Sequence, residues 1–563
     1  MLQPRQLRKR ANSLRMLASQ RRRKRIIIPS NGHHRRLAFS ASTPLPPSPT
    51  TGDASSWTHA IRSSAELGRF RHAVALYARM QRSGHHPDAF AACAALKACA
   101  RLPFIPLATA IHAQLHKLGL RSHVYPQTAL ADFYSKLDGP DAARRVFDEM
   151  PVKNVVSWNS ILSSRIRAGE LEAARRVFDE MPVRDVVSWN SIIAGYAKAG
   201  DMDRAGALFH CMPEKNPASW NGMISGYINR GDLVMARELF DKMPVRSNVS
   251  WITMISGYTR NGDVDSAREL FDKMERRDLY VWNAMIACYS QNGCPREALQ
   301  LFNRMRKPDV GGVQPDEMTF SSVISACSQL GDLRFGLWVE EYMSYSGIEL
   351  DDHLSTALID LYSKCGGMDK AFVLFDGLKK RDIVSYSAMI LGCGINGRSS
   401  DAISLFKEML DAKITPNAVT FVGLLTAYGH AGLVEEGRRC FASMWSKHKI
   451  PPSADHYAVM VDLLGRSGRL EEAYQLIRKM PMRPHVGVWG ALLLACRLHG
   501  DVELGELAAK NCFELEPEAS GYYVLLANIY AEAGKWDKAK RLRKVMVEKG
   551  LTKIPGFSWV QSS

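Results

Sequence analysis

Polar side chains recur at two fixed places along the middle of this 563-residue sequence. One place is the residue after a tryptophan, as at Asn159 and Asn190, and the other closes the same repeating stretch, as at Asp185 and Asn216. An ionised Asp only accepts hydrogen bonds, whereas an Asn amide also donates them. Two such side chains acting together can distinguish ligands by the hydrogen-bond donors and acceptors along the edge of each ligand. The pattern therefore favours recognition by hydrogen bonding.

The same residue types also have a purely structural use. Asn, Ser, Thr and Asp cap the first turn of helices, because their short side chains accept hydrogen bonds from unpaired backbone N–H groups. The recurrence at both positions leaves recognition and capping open as alternatives, and one side chain can serve both purposes.

The elements that position these residues follow from a fixed period. A tryptophan returns every 31 residues, at Trp158, Trp189, Trp220, Trp251 and Trp282. From Trp189, apolar residues at Ile192 and Tyr196 continue one face of a helix, Gly200 ends that helix and Asp201 caps a second one. Each unit is therefore predicted to be a helical hairpin that buries its apolar faces only by stacking on its neighbours. In this interpretation the tryptophans belong to the core and are not a platform for stacking ligands.

The repeat predicts an all-α fold, a right-handed superhelical solenoid of helix-turn-helix units. Two degenerate hairpins are predicted over 485–552, and a short tail over 553–563. About thirteen units precede them, with these bounds: 54–88, 89–123, 124–154, 155–185, 186–216, 217–247, 248–278, 279–316, 317–351, 352–382, 383–417, 418–453 and 454–484.

Several stretches resemble one known family. They include "VVSWNSIIAGYAKAGDMDRAGALF", "STALIDLYSKCGGMDKAFVLFDGL" and "HYAVMVDLLGRSGRLEEAYQLIRKMP". These look like the pentatricopeptide repeats of plant organelle proteins, in the PLS branch with long, standard and short units. The stretch "VWGALLLACRLHGDVELGELAAKNCFELEPE" resembles the E extension of that branch, here without a deaminase domain. Tetratricopeptide repeats are the nearest competing solenoid, but their regular 34-residue spacing fits poorly.

The resemblance implies that each unit binds one unstacked base of single-stranded RNA. Its fifth and last residues select the base, and its second residue, such as Val156, Val187, Val384 or Val419, sandwiches neighbouring bases. When the base code of the family is carried over to these units in order, it implies the motif A-U-Y-C-N-U-G-G-A, where Y is a pyrimidine and N is any base. The base-binding residues so predicted are Thr128 with Asn154, Asn159 with Asp185, Asn190 with Asn216, Asn221 with Ser247, Asp278 beside Ile252, Asn283 with Asp316, Ser321 with Asp351, Thr356 with Asp382, and Ser387 with Asn417. Cys93, Val422 and Ala458 offer no group to a base edge.

The sequence argues against catalysis. Zinc-dependent cytidine deamination needs HxE and CxxC motifs, and neither occurs among the sixteen His and eleven Cys residues. No cofactor or metal is therefore expected, and His456 and His499 are interpreted as isolated helical residues. We expect an RNA-binding factor that marks sites for C-to-U editing and recruits a deaminase-domain protein and editing co-factors in trans. The alternatives are an organelle RNA stability, processing or splicing factor and, from another class, a protein–protein scaffold. No DNA or membrane partner is expected.

The first 52 residues differ from the rest in charge. They contain twelve Lys or Arg and no Asp or Glu, whereas the net charge of the whole chain is +17. This composition is typical of an organelle transit peptide followed by a linker, with the mitochondrion expected first and the chloroplast second. The run Arg21–Arg25 leaves a nuclear signal as an alternative, and a disordered basic tail is another.

Overall fold

The computed structural model describes residues 54–102, 105–117, 123–307 and 312–551. Across these residues the chain forms thirty α-helices and no β-strand, so the predicted all-helical fold is confirmed. The predicted transit peptide and linker at 1–52 and the short tail at 553–563 lie outside the described residues.

The described residues form two compact parts, which are divided between Asn154 and Val155. In the first part the helices are α1 Ala54–Glu66, α2 Phe70–Arg82, α3 Ala89–Arg101, α4 Ile105–Lys117, α5 Val124–Leu137 and α6 Pro140–Asp148. The second part contains α7 Val155–Arg167, α8 Leu171–Glu180, α9 Val186–Lys198, α10 Met202–Cys211, α11 Pro217–Arg230, α12 Leu233–Lys242, α13 Asn248–Arg260, α14 Val264–Lys273, α15 Leu279–Gln291, α16 Pro295–Met305, α17 Glu317–Leu330, α18 Leu333–Tyr345, α19 Asp352–Lys364, α20 Met368–Gly377, α21 Ile383–Ile395, α22 Ser399–Asp411, α23 Ala418–Ala431, α24 Val434–Ser446, α25 Ala454–Arg466, α26 Leu470–Arg478, α27 Val486–His499, α28 Val502–Leu515, α29 Ser520–Glu532 and α30 Trp536–Glu548.

Within each part, consecutive helices pair into hairpins, and the first helix of each hairpin packs against the first helix of the next. The hairpin α9–α10 shows why the chain folds this way. Asp185 caps the start of α9, and the turn that follows the helix needs a left-handed residue, which Gly200 supplies at φ 84°. Asp201 then caps α10. Ile192 and Tyr196 are buried on the same face, as the periodicity predicts.

The tryptophans join neighbouring hairpins. Trp189 meets the ring of Phe178, from the preceding hairpin, edge to face with centroids 4.8 Å apart. The same contact recurs for Trp220 with Phe209, Trp251 with Phe240 and Trp282 with Phe271, at 4.9, 4.9 and 5.1 Å. Trp189, Trp220 and Trp251 are half-buried, whereas Trp282 is fully buried. These contacts agree with a packing role for the tryptophan row.

Most cysteines lie in the core. Cys99, Cys288, Cys327, Cys393, Cys440, Cys496 and Cys512 are buried, and all eleven are free thiols. Burial raises the pKa of Cys393 and Cys512 to about 12, so these thiols stay protonated at neutral pH. Among the described helices, none has the length and apolar character required to cross a membrane.

The first helices α21 and α23 approach each other closely, and this approach depends on glycine. A Cβ atom on Gly423 would lie 2.6 Å from the Cα and backbone nitrogen of Leu391. Gly423→Ala should therefore force α23 away from α21 and lower the free energy of unfolding by ~1–3 kcal/mol. Gly222→Ala is the matched control, because its Cβ would meet no atom within 4 Å in α11. Hydrogen exchange of α21 and α23 tests this, and equal protection in both variants would contradict it.

Candidate functional site

The predicted fifth and last residues of unit 155–185 meet in the structure. Asn159 Nδ2 donates a hydrogen bond to Asp185 Oδ1 at 3.0 Å. The same oxygen accepts from the backbone nitrogen of Ser188, the third residue of the next unit, at 2.8 Å. The Ser188 hydroxyl lies 2.7 Å from both Asp185 Oδ1 and Asn159 Oδ1. One polar network thus joins the first helices of two neighbouring units.

This network recurs in other units. Asn283 Nδ2 donates to Asp316 Oδ1 at 2.8 Å, and the Thr319 hydroxyl bonds to both side chains. Asn190 Nδ2 and Asn216 Oδ1 are separated by 3.4 Å, a longer contact of the same kind. In unit 383–417 the buried Ser387 hydroxyl donates to Asn417 Oδ1 at 3.2 Å and also lies 2.8 Å from the Thr420 hydroxyl.

Other predicted residues take different partners. The Thr356 hydroxyl donates to the Asp352 carbonyl at 2.7 Å, and the Thr128 hydroxyl donates to the Val124 carbonyl at 2.8 Å. Ser321 lies 3.0 Å from His353 Nε2, in the next unit. Asn221 Oδ1 is buried and has no hydrogen-bond partner among the described residues.

Unit 248–278 has Ile252 at its fifth position, which breaks the predicted pattern. Its first residue, Asn248, supplies an amide instead. Asn248 Nδ2 donates to Asp278 Oδ2 at 2.6 Å. The last residue therefore still has an amide partner, although that partner does not come from the fifth position.

The last residues of the units also cap helices. In each case the side chain accepts a hydrogen bond from a backbone nitrogen in the first turn of the next helix: Asp185, Asn216, Ser247, Asp278, Asp316, Asp351, Asp382 and Asn417. The capping interpretation therefore holds for these positions. At Asp185 the capping bond leaves one carboxylate oxygen available.

Asp185 remains ionised at neutral pH. Its partial burial opposes the charge, but hydrogen bonds from Asn159 and from the backbone and hydroxyl of Ser188 outweigh burial and lower the pKa of the carboxyl group. All of these bonds, as measured above, end on Oδ1. Oδ2 is thus the oxygen that remains to accept a hydrogen bond from a ligand.

The second residues of the units form an exposed row. Val156 and Val187 are 58% and 57% exposed, and Val384 and Val419 are also exposed. The sequence interpretation named only these four valines. The structure adds larger or equivalent side chains exposed at the same position of other units, namely Phe90, Tyr125, Val249, Tyr280 and Met318. Their shared place in the repeat was the signal that could have identified them.

Second, fifth and last residues share one groove in the C-terminal part. A cleft of about 340 Å³ is lined by His353, Thr356, Val384, Ser387 and Asn417, from neighbouring units. A volume within ~300–1,000 Å³ is typical of small-ligand sites. The predicted selecting and sandwiching side chains therefore face the same open space.

The sequence interpretation also missed residues that hold the predicted selecting pairs in place. The third residue of many units carries a buried hydroxyl: Ser157, Ser188, Ser219, Ser250, Thr319, Ser385 and Thr420. Ser188, Thr319 and Thr420 contact both the last residue of the preceding unit and its fifth residue. The repeated small hydroxyl residue at this position, as in "VVSWN", could have revealed them.

The two histidines singled out in the sequence, His456 and His499, contact groups of the protein itself. His456 is buried, contacts Ser453 through Nδ1 and the Ala418 carbonyl through Nε2, and burial lowers its pKa. His499 Nε2 lies 2.8 Å from the Gly465 carbonyl oxygen. Over the described ranges, no cluster of three or more His, Cys, Asp or Glu side chains could hold a metal ion.

Comparison with family models assigns the repeat. A PPR repeat model matches residues 55–85, 156–186, 187–217, 218–247, 249–279, 318–348, 355–383, 419–448 and 455–484. A PPR repeat family model matches 277–329 and 381–430, and an E motif model matches 499–561. The chain belongs to the pentatricopeptide repeat family. The repeats followed by an E motif confirm the predicted PLS type with an E extension. Membership of this family agrees with the prediction that the polypeptide is not an enzyme.

Similar proteins come from Arabidopsis thaliana. Pentatricopeptide repeat-containing protein At5g44230 is 42% identical over 507 residues, which are 90% of this chain and 63% of that protein. The mitochondrial protein At2g22410 is 48% identical over 44% of this chain and 36% of its own length. The chloroplastic protein DOT4 is 47% identical over 44% of this chain and 28% of its own length. This chain thus spans less than two thirds of the length of these relatives.

Among solved structures, the chain is similar to the pentatricopeptide repeat protein PPR10 from maize. The identity is 19%, over 91% of this chain and 81% of that one, with a TM-score of 0.44. A structure of PPR10 in complex with an 18-nt psaJ RNA element is 18% identical, with 91% and 82% coverage and a TM-score of 0.47.

Proposed function

We propose that this protein binds single-stranded organelle RNA, one base to each unit. The observation that carries the proposal is the repeated contact of a fifth and a last side chain beside an exposed second residue, as in Asn159, Asp185 and Val156. Each such set offers a base an apolar face and a hydrogen-bonding edge. Repetition of this set along the chain suits a strand of unstacked bases better than it suits a folded partner.

Within this function, we propose that the protein marks sites for C-to-U editing and recruits a deaminase in trans. The match to the E motif at 499–561 supports this, because the resemblance to the PLS branch with an E extension implies a role at editing sites. Relatives named mitochondrial and chloroplastic support an organelle location, and the basic, acid-free first 52 residues favour the mitochondrion. RNA stabilisation, processing or splicing without editing is the second candidate.

Binding is tested with purified full-length protein and short RNAs. An RNA that contains A-U-Y-C-N-U-G-G-A should bind more tightly than a scrambled strand of the same composition or the corresponding duplex. The salt dependence should be modest, because residues 53–563 carry 62 Lys and Arg against 57 Asp and Glu. Equal affinity for the motif and the scrambled strand in a gel-shift titration would contradict base-specific binding.

The editing role is tested by sequencing organelle transcripts from a line that lacks the protein. A cytidine a few nucleotides 3′ of the bound motif should remain unedited, because the units are expected to run parallel to the RNA. The abundance and splicing of that transcript should be unchanged. Altered abundance or splicing with intact editing would instead favour the second candidate function.

A further inference from the structure

The predicted units have two lengths, and the two groups differ in the residue before the last. Seven units are 31 residues long, and each has a cation at this next-to-last position: Lys153, Arg184, Lys215, Arg246, Arg277, Arg381 and Arg483. The six longer units have no cation there, but Pro87, Ser122, Pro315, Leu350, Pro416 and Pro452. The residues predicted to contact a base are the second, fifth and last. The link between charge and unit length therefore indicates another use for the cation.

The short units also have shorter second helices. Helices α8, α10, α12, α14 and α20 have 10 residues each, and α6 and α26 have 9. In the longer units α16 has 11 residues, and α2, α4, α18, α22 and α24 have 13. The short units thus omit up to about one turn of 3.6 residues.

The early end of α8 leaves backbone carbonyl groups without their usual donors. The helix ends at Glu180, and Pro182 has no N–H group to donate to the Phe178 carbonyl four residues earlier. The Met181 nitrogen reaches that carbonyl only at 3.4 Å. The last carbonyls of a helix also carry partial negative charge, so a nearby cation with several donors stabilises them.

The guanidinium group of Arg184 supplies these donors. Its Nε donates to the Phe178 carbonyl and its Nη2 to the Asp179 carbonyl, both at 2.8 Å. The same two bonds recur in two further units, at 2.9, 2.7, 2.9 and 3.0 Å, for Arg246 with Phe240 and Asp241 and for Arg277 with Phe271 and Asp272. These three arginines therefore replace the donors of the missing helical turn.

Other short units use the same position less uniformly. The contacts are Lys153 to the Met150 carbonyl at 3.0 Å, Lys215 to the Met212 carbonyl at 2.8 Å, and Arg381 to the carboxylates of Asp376 and Glu408 at 2.8 and 2.7 Å. A lysine can thus reach a carbonyl of the same connection, but it lacks the rigid fork of donors that allows an arginine to bind two.

Arg184 also contacts the aromatic layer between units. Its Cζ lies 5.0 Å from the centroid of Phe178, the ring that Trp189 of the next unit meets edge to face. Asp185 follows Arg184 directly in the chain and caps α9. The predicted selecting residue is therefore held from both sides, by the cap of the next helix and by the arginine bound to the previous one.

We propose that Arg184 is a positioning residue for base selection, and that Arg246 and Arg277 have the same role in their units. By binding the end of α8, Arg184 fixes the short connection and holds Asp185 against Asn159. This proposal rests on the RNA binding proposed above. It adds a determinant of base preference that contacts no base, and it assigns these cations to the protein backbone and not to RNA phosphates.

The test compares Arg184→Met with Arg176→Met in the full chain. Methionine keeps an unbranched stem over Phe178 but has no donor and no charge. Arg176 lies exposed in α8 and has no hydrogen bond or ion pair among the described residues, so its variant removes the same charge from the same unit. In gel-shift titrations with RNAs that differ only at the nucleotide of unit 155–185, the preference for uracil over cytosine should fall to roughly a tenth in Arg184→Met. It should be unchanged in Arg176→Met.

Three further measurements separate positioning from other roles. Arg184→Lys should retain most of the uracil preference, because a lysine at this position can still bind a carbonyl, as Lys215 does. The dependence of affinity on salt should be the same in Arg184→Met as in the natural protein. The preference of unit 383–417 for adenine should also be unchanged, which shows that the rest of the array remains folded.

Two outcomes of these titrations would overturn the proposal. One is an unchanged uracil preference in Arg184→Met. The other is a salt slope lowered by about one with equal loss of affinity for every RNA, which would make Arg184 a phosphate contact.

Hydrogen exchange tests the positioning without RNA. The Ser188 amide donates to Asp185 Oδ1 at 2.8 Å, so it should exchange faster in Arg184→Met than in Arg176→Met. Equal exchange in the two variants would overturn the positioning of Asp185. A natural protein without any preference for the motif would instead mark the failure of the proposed function, and faster exchange would then still support the role of Arg184 in holding Asp185.

Discussion

Replacing Trp282 with alanine should lower the free energy of unfolding of the surrounding hairpins by ~3–5 kcal/mol, the usual cost of removing a large buried aromatic side chain. Trp282 is 1% exposed, and its ring meets Phe271 at an angle of 74°. Its removal leaves a cavity where it packs against Phe271 of the preceding hairpin. Hydrogen exchange should show the loss in α14 and α15, because the stability of a repeat array is largely local.

The control for this prediction is Trp445→Ala. Trp445 is 59% exposed in α24, so its loss should change stability by no more than ~0.5 kcal/mol. The base preferences of the protein should be unchanged in both variants, provided that the array stays folded. Similar losses of protection in the two variants would show that Trp282 does not contribute to the core in the way its burial indicates.

The hairpins could be predicted because their determinants are local. Apolar residues at helical spacing, such as Ile192 and Tyr196, lie on one buried face, and Gly200 adopts the left-handed conformation expected of a helix end. The degree of burial could not be predicted in the same way. Trp189 and Trp282 have the same place in the repeat, yet only Trp282 is fully buried, because burial also depends on the side chains of neighbouring units.

The positions of the candidate-site residues could be predicted from the sequence, but the hydrogen bonds between them could not. The sequence places Asn159 and Asp185 at the two predicted selecting positions. The structure adds that they bond to each other directly and that the Ser188 hydroxyl contacts both. Exceptions arise where a side chain from a neighbouring unit takes the hydrogen bond of a fifth residue. Ser321 contacts His353, which replaces the usual valine at the second position of the next unit and has a ring nitrogen within reach. Such contacts join residues from different units, so a one-unit pattern does not contain them.

Converting Asp185 to asparagine should shift the base preference of unit 155–185 from uracil towards cytosine. Asp185 Oδ1 holds Asn159 and Ser188, so an asparagine can keep these bonds through its own oxygen and present an NH₂ group in place of Oδ2. Uracil offers a ring N–H to an acceptor, whereas cytosine offers a bare ring nitrogen to a donor. Each mismatched pairing should cost ~1–3 kcal/mol, by analogy with base-edge contacts in DNA. Gel-shift titrations with RNAs that differ only at this nucleotide measure the change.

The chain contains its own reference for this substitution. Asn216 caps α11 as Asp185 caps α9, with a backbone nitrogen 3.0 Å from its side-chain oxygen, so an asparagine at position 185 should preserve stability. Asp185→Ala separates the two roles, because it should cost ~0.5–2 kcal/mol of stability through the lost cap and also remove the base preference of the unit. If Asp185→Asn instead prefers uracil by the same margin as the natural protein, Asp185 acts only as a cap. The selecting role would then have to be assigned to Asn159 alone, whose amide is already bonded to both Asp185 and Ser188.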